Sequence, residues 1–447
     1  MISTWEFPEG GVKEADSTDQ ELDLLFSKLP QELSQHIYRL FPAAKLKQLN
    51  EIYLQLGQRP ECIFADPQNG GQITRVEILD RPCTHAEIEI FASFFERHDE
   101  QNKLMVLSKR RGISGTLHRV AVITKPSSNP MQVLGVTVRV GRAMQGLLQT
   151  MAGGLQFLRP LAQHRRSLLL IGKPGVGKTT ALREIASILA EDPSLRVVVV
   201  DKTMEIAGDG DTPHPAIGKA RWMPVGVPKM QHEIMLEAVE NQSPDVIIVD
   251  EISNDVEVRA AQTIAQRGVM LIATVHGSTL VELVHDRERS ALVGGCASVT
   301  LSDFEAERRS DKKKQVLKRS KEPVFQTVLE LQSQTSWVYH DSVASVIDKY
   351  LDSQESSAVI LEPGRASKIT CLPTHDGKLI YCDRCHPGRF RCPEHNFSSE
   401  QNNSSQQQDG PATGHPFGIL ANPVPENATS NGIKNQRKRK PVRTQHR

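Results

Sequence analysis

The sequence predicts an α/β fold: a mostly parallel sheet around a P-loop NTPase core, an α+β N-terminal domain before it, and a largely disordered C-terminal tail after it. Three observations predict this. Gly172-Lys173-Pro174-Gly175-Val176-Gly177-Lys178-Thr179-Thr180 fits G-x-x-x-x-G-K-[ST], with an apolar run at 167–171 before it and helical spacing at 180–190 after it. A second apolar run, 245–249, ends in Asp250 and Glu251. Further runs at 196–200 and 269–275 are joined to these by helical patterns, as a parallel sheet with helical crossovers requires, and 297–301 is a fifth strand candidate.

The elements follow in order. Residues 1–19 are polar and acidic and read as disordered. The first domain spans 20–142. Leu22, Leu25, Leu29 and then Leu33, Ile37, Leu40 recur at helical spacing, with Pro30 separating two helices. Residues 46–56 are a further amphipathic stretch. Ile63-Phe64 and Gln72-Ile73-Thr74 suggest short strands, followed by a helix capped at Thr84. Runs 116–123 and 133–140 alternate as strands around the turn signal Pro126-Ser127-Ser128-Asn129-Pro130. The second domain, 143–352, holds the glycine loop. It closes with a terminal hairpin (324–330 with Trp337-Val338-Tyr339) and a helix at 343–351. Past about 353 regularity falls away. Residues 366–398 carry a cysteine cluster, and 399–447 form a disordered basic tail.

The chemistry starts at the loop. Gly172, Lys173, Pro174, Gly175, Val176, Gly177, Lys178, Thr179 and Thr180 would cradle a polyphosphate. Glycines turn backbone N–H groups inward, the helix start adds positive potential, Lys178 supplies a charge, and the Thr179 hydroxyl supplies a magnesium ligand. Hydrolysis needs a second element. In P-loop enzymes one carboxylate organises the metal and another orients the attacking water; Asp250 and Glu251 take those roles. The run 196–200 ends in Asp201, with Glu205 beyond it, and 269–275 ends at Thr274 and His276. Strand C-termini face the ligand crevice, so Thr274 or His276 would sense the γ-phosphate and Glu205 would help place water. The plain alternatives are that the acidic pair caps a strand and that the others are ordinary crevice-edge residues.

The run Asp201-Lys202-Thr203-Met204-Glu205-Ile206-Ala207-Gly208-Asp209-Gly210-Asp211-Thr212-Pro213-His214-Pro215-Ala216-Ile217-Gly218-Lys219-Ala220-Arg221 is not generic to P-loop proteins. With Glu237-Ala238-Val239-Glu240-Asn241, Ala265-Gln266-Arg267-Gly268-Val269, Ala273-Thr274-Val275-His276-Gly277 and Arg139-Val140-Gly141-Arg142, it resembles a P-loop ATPase family of plastids and cyanobacteria. That family is hypothetical chloroplast frame forty-five (Ycf-forty-five), related to stage III sporulation protein AA. The match covers about residues 20–350. The resemblance implies an AAA-type or RecA-like core akin to secretion ATPases. It further implies ATP and magnesium as cofactors, a homo-oligomeric ring, and an N-terminal domain that closes over the nucleotide. Lys173 stands where the family usually has Pro, and Lys202 and Met204 replace smaller polar residues; no hydrolytic residue is lost. A ring would complete the site with an arginine from a neighbour, for which Arg119, Arg139, Arg142, Arg221, Arg259 and Arg267 are the candidates.

Composition bounds the partners. Formal net charge is +1, so no global attraction to nucleic acid or membrane follows. No run reaches the roughly 20 apolar residues of a membrane span. Seven cysteines, an odd number with four of them clustered near the end, favour reduced thiols. Cys382, Cys385, Cys392 and His395 form C-x2-C-x6-C-x2-H, a donor set that suits zinc, with Cys371, His375 and His386 nearby; the alternative is a tail with incidental cysteines. Arg308-Arg309, Lys312-Lys313-Lys314 and Arg437-Lys438-Arg439-Lys440 are basic segments that either contact nucleic acid or are merely solvated. The family resemblance points to a plastid. An N-terminus without an early arginine and the basic tail point to cytoplasm or nucleus. The expected activity is Mg-dependent ATP hydrolysis coupled to work on an unknown macromolecular partner. The alternative is a nucleotide-switched nucleic-acid-binding protein with slow hydrolysis.

Overall fold

Helical periodicity and a proline set the entry to the chain. The computed structural model describes residues 17–382 apart from 67–71, 92–96, 99–103, 106–108, 127–131, 145, 152–153, 211, 227–229, 309–313 and 374–378. Helices α1 (Ser17–Phe26) and α2 (Gln31–Leu40) flank Pro30, and a short α3 (Ala43–Leu46) follows. The amphipathic stretch at 46–56 is mainly strand β1 (Leu49–Gln55), whose buried residues fall at Leu49, Ile52 and Leu54. Next come β2 (Glu61–Asp66), β3 (Gln72–Glu77) and α4 (His85–Glu89). Thr84 caps α4 in a reciprocal box with Glu87, two orphan donors satisfied at once. A ribbon of β4 (Arg97–His98) and β5 (Leu104–Met105) precedes β6 (Arg110–Gly112), β7 (Arg119–Thr124) and β8 (Val133–Arg139). Six of these strands pair antiparallel in the order β3-β2-β1-β8-β7-β6, and Leu25, Ile37, Ile52, Ile88 and Val138 share one core beneath them.

The larger part begins with α5 (Leu147–Thr150) and α6 (Gly154–Gln163). It continues through β9 (Leu168–Gly172), α7 (Lys178–Ala190), β10 (Val197–Asp201), β11 (Arg221–Pro224), α8 (Gln231–Gln242), β12 (Val246–Glu251), α9 (Asp255–Gln266), β13 (Met270–His276) and α10 (Leu280–Val284). Strands β9 and β10 are buried at every residue, as sheets covered on both faces require. Alternation along β9 divides the core: Leu168 and Leu170 enter the cluster with Ile185 of α7, Leu169 and Ile171 the cluster with Ile264 of α9.

Beyond α10 the chain departs from expectation in three places. The 297–301 strand candidate is β14 (Cys296–Thr300), and it does not join the sheet. It pairs antiparallel with β15 (Gln315–Arg319) across α11 (Asp303–Arg308). The expected terminal hairpin is β16 (Thr327–Ser333) and β17 (Ser336–His340), but β16 lies parallel against β9 itself. After α12 (Val343–Leu351) regularity does not fall away: β18 (Ser356–Glu362), β19 (Arg365–Pro373) and β20 (Leu379–Cys382) continue the sheet antiparallel. Their sequences alternate apolar with polar and so lack the continuous apolar signal of the parallel strands. The full order is β11-β10-β12-β13-β9-β16-β17-β18-β19-β20, with the glycine-loop strand near its middle.

Candidate nucleotide site

The loop after β9 takes its shape from backbone geometry that side chains resist. Gly175 and Gly177 have φ of 79° and 99°, in the left-handed region, and Gly177 is the N-cap of α7. Lys178 opens the helix and folds back, its Nζ donating to the carbonyls of Gly172 at 2.6 Å and Lys173 at 3.0 Å. Burial lowers its pKa, against the pull of Glu251 and Asp250.

The acidic strand β12 does not lie beside β9; β13 lies between them. The C-terminal ends of all three therefore open on one crevice. His276, at the end of β13, spans it: Nδ1 is 3.4 Å from Lys178 Nζ and Nε2 is 3.2 Å from Glu251 Oε2. An ammonium only donates, so Nδ1 accepts and Nε2–H is left to donate to the carboxylate. Thr274 does not face the crevice as expected. It is buried, and its hydroxyl donates to the Asp250 carbonyl at 2.6 Å, a bond from strand to strand.

Asp250 is buried and accepts a hydrogen bond from the Thr203 hydroxyl. Beside it Asp201 is fully buried and accepts the N–H groups of Glu205, Ile206 and Ala207 at 3.2, 3.1 and 2.9 Å. Burial pushes both carboxyls upward, and the Asp250 charge raises Asp201 further. A divalent cation is the counter-charge that would let Asp250 ionise fully, and the hard oxygens of Thr179 and Asp250 suit magnesium. Among the described residues no three His, Cys, Asp or Glu side chains form a metal cage. A magnesium completed by phosphate and water does not need one.

Glu205 does not stand free to place water. It pairs with Arg119, which reaches over from β7 of the N-terminal domain. The turn beneath it is held from α7, where Arg183 Nε donates to the Ile206 carbonyl at 2.8 Å and Nη2 to the Glu205 carbonyl at 2.5 Å. Burial lowers the Arg183 pKa to about 10. Met204 sits in this turn at φ 56°, a left-handed conformation costly for a side chain. Sequence reasoning missed Arg183; the available signal was an arginine at an apolar-face position of an otherwise amphipathic helix.

The loop from Glu205 to His214 is thus a seam between the six-stranded and the ten-stranded sheets. Asp209 Oδ2 accepts the Gly112 N–H at 2.9 Å, and His214 Nε2 lies 3.0 Å from Glu21 Oε1 of α1. A Cβ on Gly208 would stand 2.6 Å from the Thr116 carbonyl oxygen, which explains glycine there. The turn after β13 is held as firmly. Arg289, gripped by Asp286, donates to the His276 carbonyl at 2.8 Å; Glu282 accepts the Ser278 N–H at 2.6 Å.

The other predicted residues spread out. Arg139 pairs with Glu51, Arg259 with Asp255 and Arg267 with Glu240, while Arg142 donates to the carbonyls of Leu46 and Leu49. Arg221 is exposed at the start of β11. Of the zinc residues, Cys385, Cys392 and His395 lie outside the described residues, as do His375 and His386, and Cys382 closes β20. Cys371 is buried, its thiol pushed up to about 12 by burial, so it is no solvent-facing ligand. In the basic segment, Arg308 stacks on Phe304 and Lys314 pairs with Asp303; Arg309, Lys312, Lys313 and the run at 437–440 lie outside the described residues.

Comparison with known proteins agrees with the resemblance read from these residues. The family model described as sporulation stage III, protein AA, matches residues 28–301. The chain is 37% identical over 369 residues to the uncharacterized protein ycf45 of Porphyra purpurea, covering 82% of this chain and 60% of that protein. It is 38% identical over 335 residues to the protein seedling plastid development 1 of Arabidopsis thaliana, covering 74% of this chain and 44% of that protein. The chain therefore spans about half the length of these relatives. Among solved structures, the pilus retraction motor PilT with bound ADP overlaps at a TM-score of 0.41 and 16% identity, over 61% of this chain and 79% of that one. That overlap is too loose to bear on function. No helix among the described residues is long and apolar enough to cross a membrane.

Proposed function

Because the chain belongs to the sporulation stage III, protein AA, family, we propose that it is a magnesium-dependent ATPase working on a macromolecular partner. The observation that carries this is the line Lys178–His276–Glu251, which joins the phosphate loop to the acidic strand across the intervening β13. In this reading the phosphates of ATP take the N–H groups of the loop and the start of α7. Lys178 exchanges its two loop carbonyls for phosphate oxygens. Thr179 and Asp250 hold magnesium, which supplies charge neutralisation at the phosphates. Glu251 orients the attacking water, and His276 reports the occupied γ-phosphate position to it. Glu205, tied to Arg119, relays the position of the N-terminal domain to the site. The working form is a homo-oligomeric ring that takes one further arginine from a neighbour, and the compartment is the plastid, as the names of the relatives suggest.

The test is phosphate release by the full chain with ATP and magnesium. Glu251→Gln is expected to lower kcat about 100- to 10,000-fold while nucleotide binding persists, the range for a lost general base. Unchanged turnover in that variant, or turnover indifferent to chelation of magnesium, would remove the proposal. A second reading, a nucleotide-switched nucleic-acid-binding protein, is favoured by the β14–β15 ribbon. There Phe304 is 65% exposed under Arg308, and Lys314 and Lys318 stand nearby, the pairing of aromatic and cation that single strands use. Slow basal turnover that rises with an added single-stranded oligonucleotide would favour it.

A further inference from the structure

The sheet places one charged residue directly against the phosphate-loop strand, and the hydrolytic reading does not use it. Glu330 of β16 lies opposite Ile171, and its neighbour Leu331 lies opposite Gly172, where the loop begins. Glu330 is fully buried. Its Oε1 accepts the N–H of Leu280 at 2.6 Å and stands 3.2 Å from His340 Nε2, while its Oε2 accepts the Tyr381 hydroxyl. A buried carboxylate needs such donors, because each one lost leaves an oxygen desolvated without compensation.

Two of these partners come from places that matter. Leu280 is the first residue of α10, and its N–H is among the orphan donors of that helix start. It lies four residues beyond His276, across the tight turn Gly277-Ser278-Thr279. Tyr381 comes from β20, the outermost strand of the sheet. Four strand spacings in a flat sheet would put β20 about 19 Å from β16. The bond to Glu330 therefore requires the antiparallel half of the sheet to curl back. The cluster of Val281, Val338, Tyr350, Ile369 and Tyr381 fills the space so enclosed, and it includes the second residue of α10.

We propose that Glu330 and Tyr381 are positioning residues for His276: the last described strand fixes a buried carboxylate, the carboxylate fixes the start of α10, and that start fixes the turn from which His276 reaches Lys178 and Glu251. The C-terminal strands thereby tune the hydrolytic step without touching nucleotide. This rests on the ATPase reading of the site, and the experiment separates the two.

Tyr381→Phe removes one hydroxyl from the interior. Hydrogen exchange of the full chain is expected to quicken at least threefold over 277–284 and to stay unchanged over 178–190. Unchanged exchange over 277–284 would overturn the proposal even in a protein that hydrolysed nothing. In turnover, Tyr381→Phe is expected to lower kcat about tenfold with KM within twofold, the cost of a small misplacement at the chemistry. In a His276→Ala background the same change is expected to do nothing more, since its effect passes through that residue. Losses that multiply, or a His276→Ala protein with wild-type kcat, would overturn it. Glu330→Gln keeps the shape and an acceptor for Leu280. It is expected to show the same non-additivity if Tyr381→Phe proves too poorly folded to assay, and additive losses there would equally count against the proposal.

Discussion

His118 offers a prediction whose size follows from the structure. It is 2% exposed, and among the described residues neither ring nitrogen finds a partner at hydrogen-bond geometry. Burial pushes its pKa down from 6.5 to about 4, with Glu21 opposing and Arg142 and His214 adding to the fall. The folded protein therefore keeps the imidazole neutral where the unfolded chain takes up a proton. Above pH 6.5 this group leaves stability untouched. As pH falls from 6.5 to about 4 the unfolded state gains, and below about 4 the loss is complete. At about 1.4 kcal/mol per pH unit the full loss is about 3 kcal/mol. His118 lies in the stretch facing Glu21 and the 205–214 loop, so the loss falls on the domain seam. His118→Leu removes the titration and two unpartnered nitrogens together. The raised Asp201 and Asp250 carboxyls gain stability over the same range but act alike in both proteins. Urea unfolding followed by far-ultraviolet circular dichroism at pH 7, 6, 5 and 4.5 should therefore show the variant gaining on the parent as pH falls. A difference that stays constant across this range would refute the reasoning. Asp245 does not confuse the comparison: its arginine partners hold it down at about 2, so its own contribution is lost only as pH falls from 3.8 toward that value.

Two further outcomes can be measured. Gly208→Ala puts a side chain at φ 75° and a Cβ 2.6 Å from the Thr116 carbonyl. The left-handed backbone alone costs about 1–2 kcal/mol, and the melting temperature should fall by several degrees. An unchanged melt would mean that the seam does not close as described. Arg119→Ala frees Glu205 and should lower kcat/KM about tenfold with little change in nucleotide affinity, while Arg119→Lys restores part of it. Equal activity in all three proteins would remove Arg119 from the relay.

The parallel half of the sheet was legible because runs such as 168–171 and 246–249 are apolar throughout, and full burial on both faces leaves no other reading. The loop and the acidic pair were legible because their chemistry fixes residue type at each position. The antiparallel half was legible only in its hairpin of β16 and β17. Ser356-Ser357-Ala358-Val359-Ile360 and Lys368-Ile369-Thr370-Cys371 mix polar and apolar residues, and their strand character comes from pairing with β17 and with each other. Thr274 misled for a related reason. A hydroxyl at a strand end is chemically fit for phosphate, but it is satisfied by the neighbouring strand's carbonyl, which only the register reveals. Arg183 and Glu330 were hidden inside apolar patterns, where a single charged residue reads as noise until its partners are located.

The interlock of Gly112 with Asp209 and of Glu21 with His214 has a consequence for inheritance. The N-terminal domain and the loop from Glu205 to His214 must change together, because a bulkier residue or altered charge on one side meets backbone on the other. Relatives should therefore exchange this pair of surfaces as one cassette. A chimera that grafts a relative's N-terminal domain should fold well only when its loop is carried along.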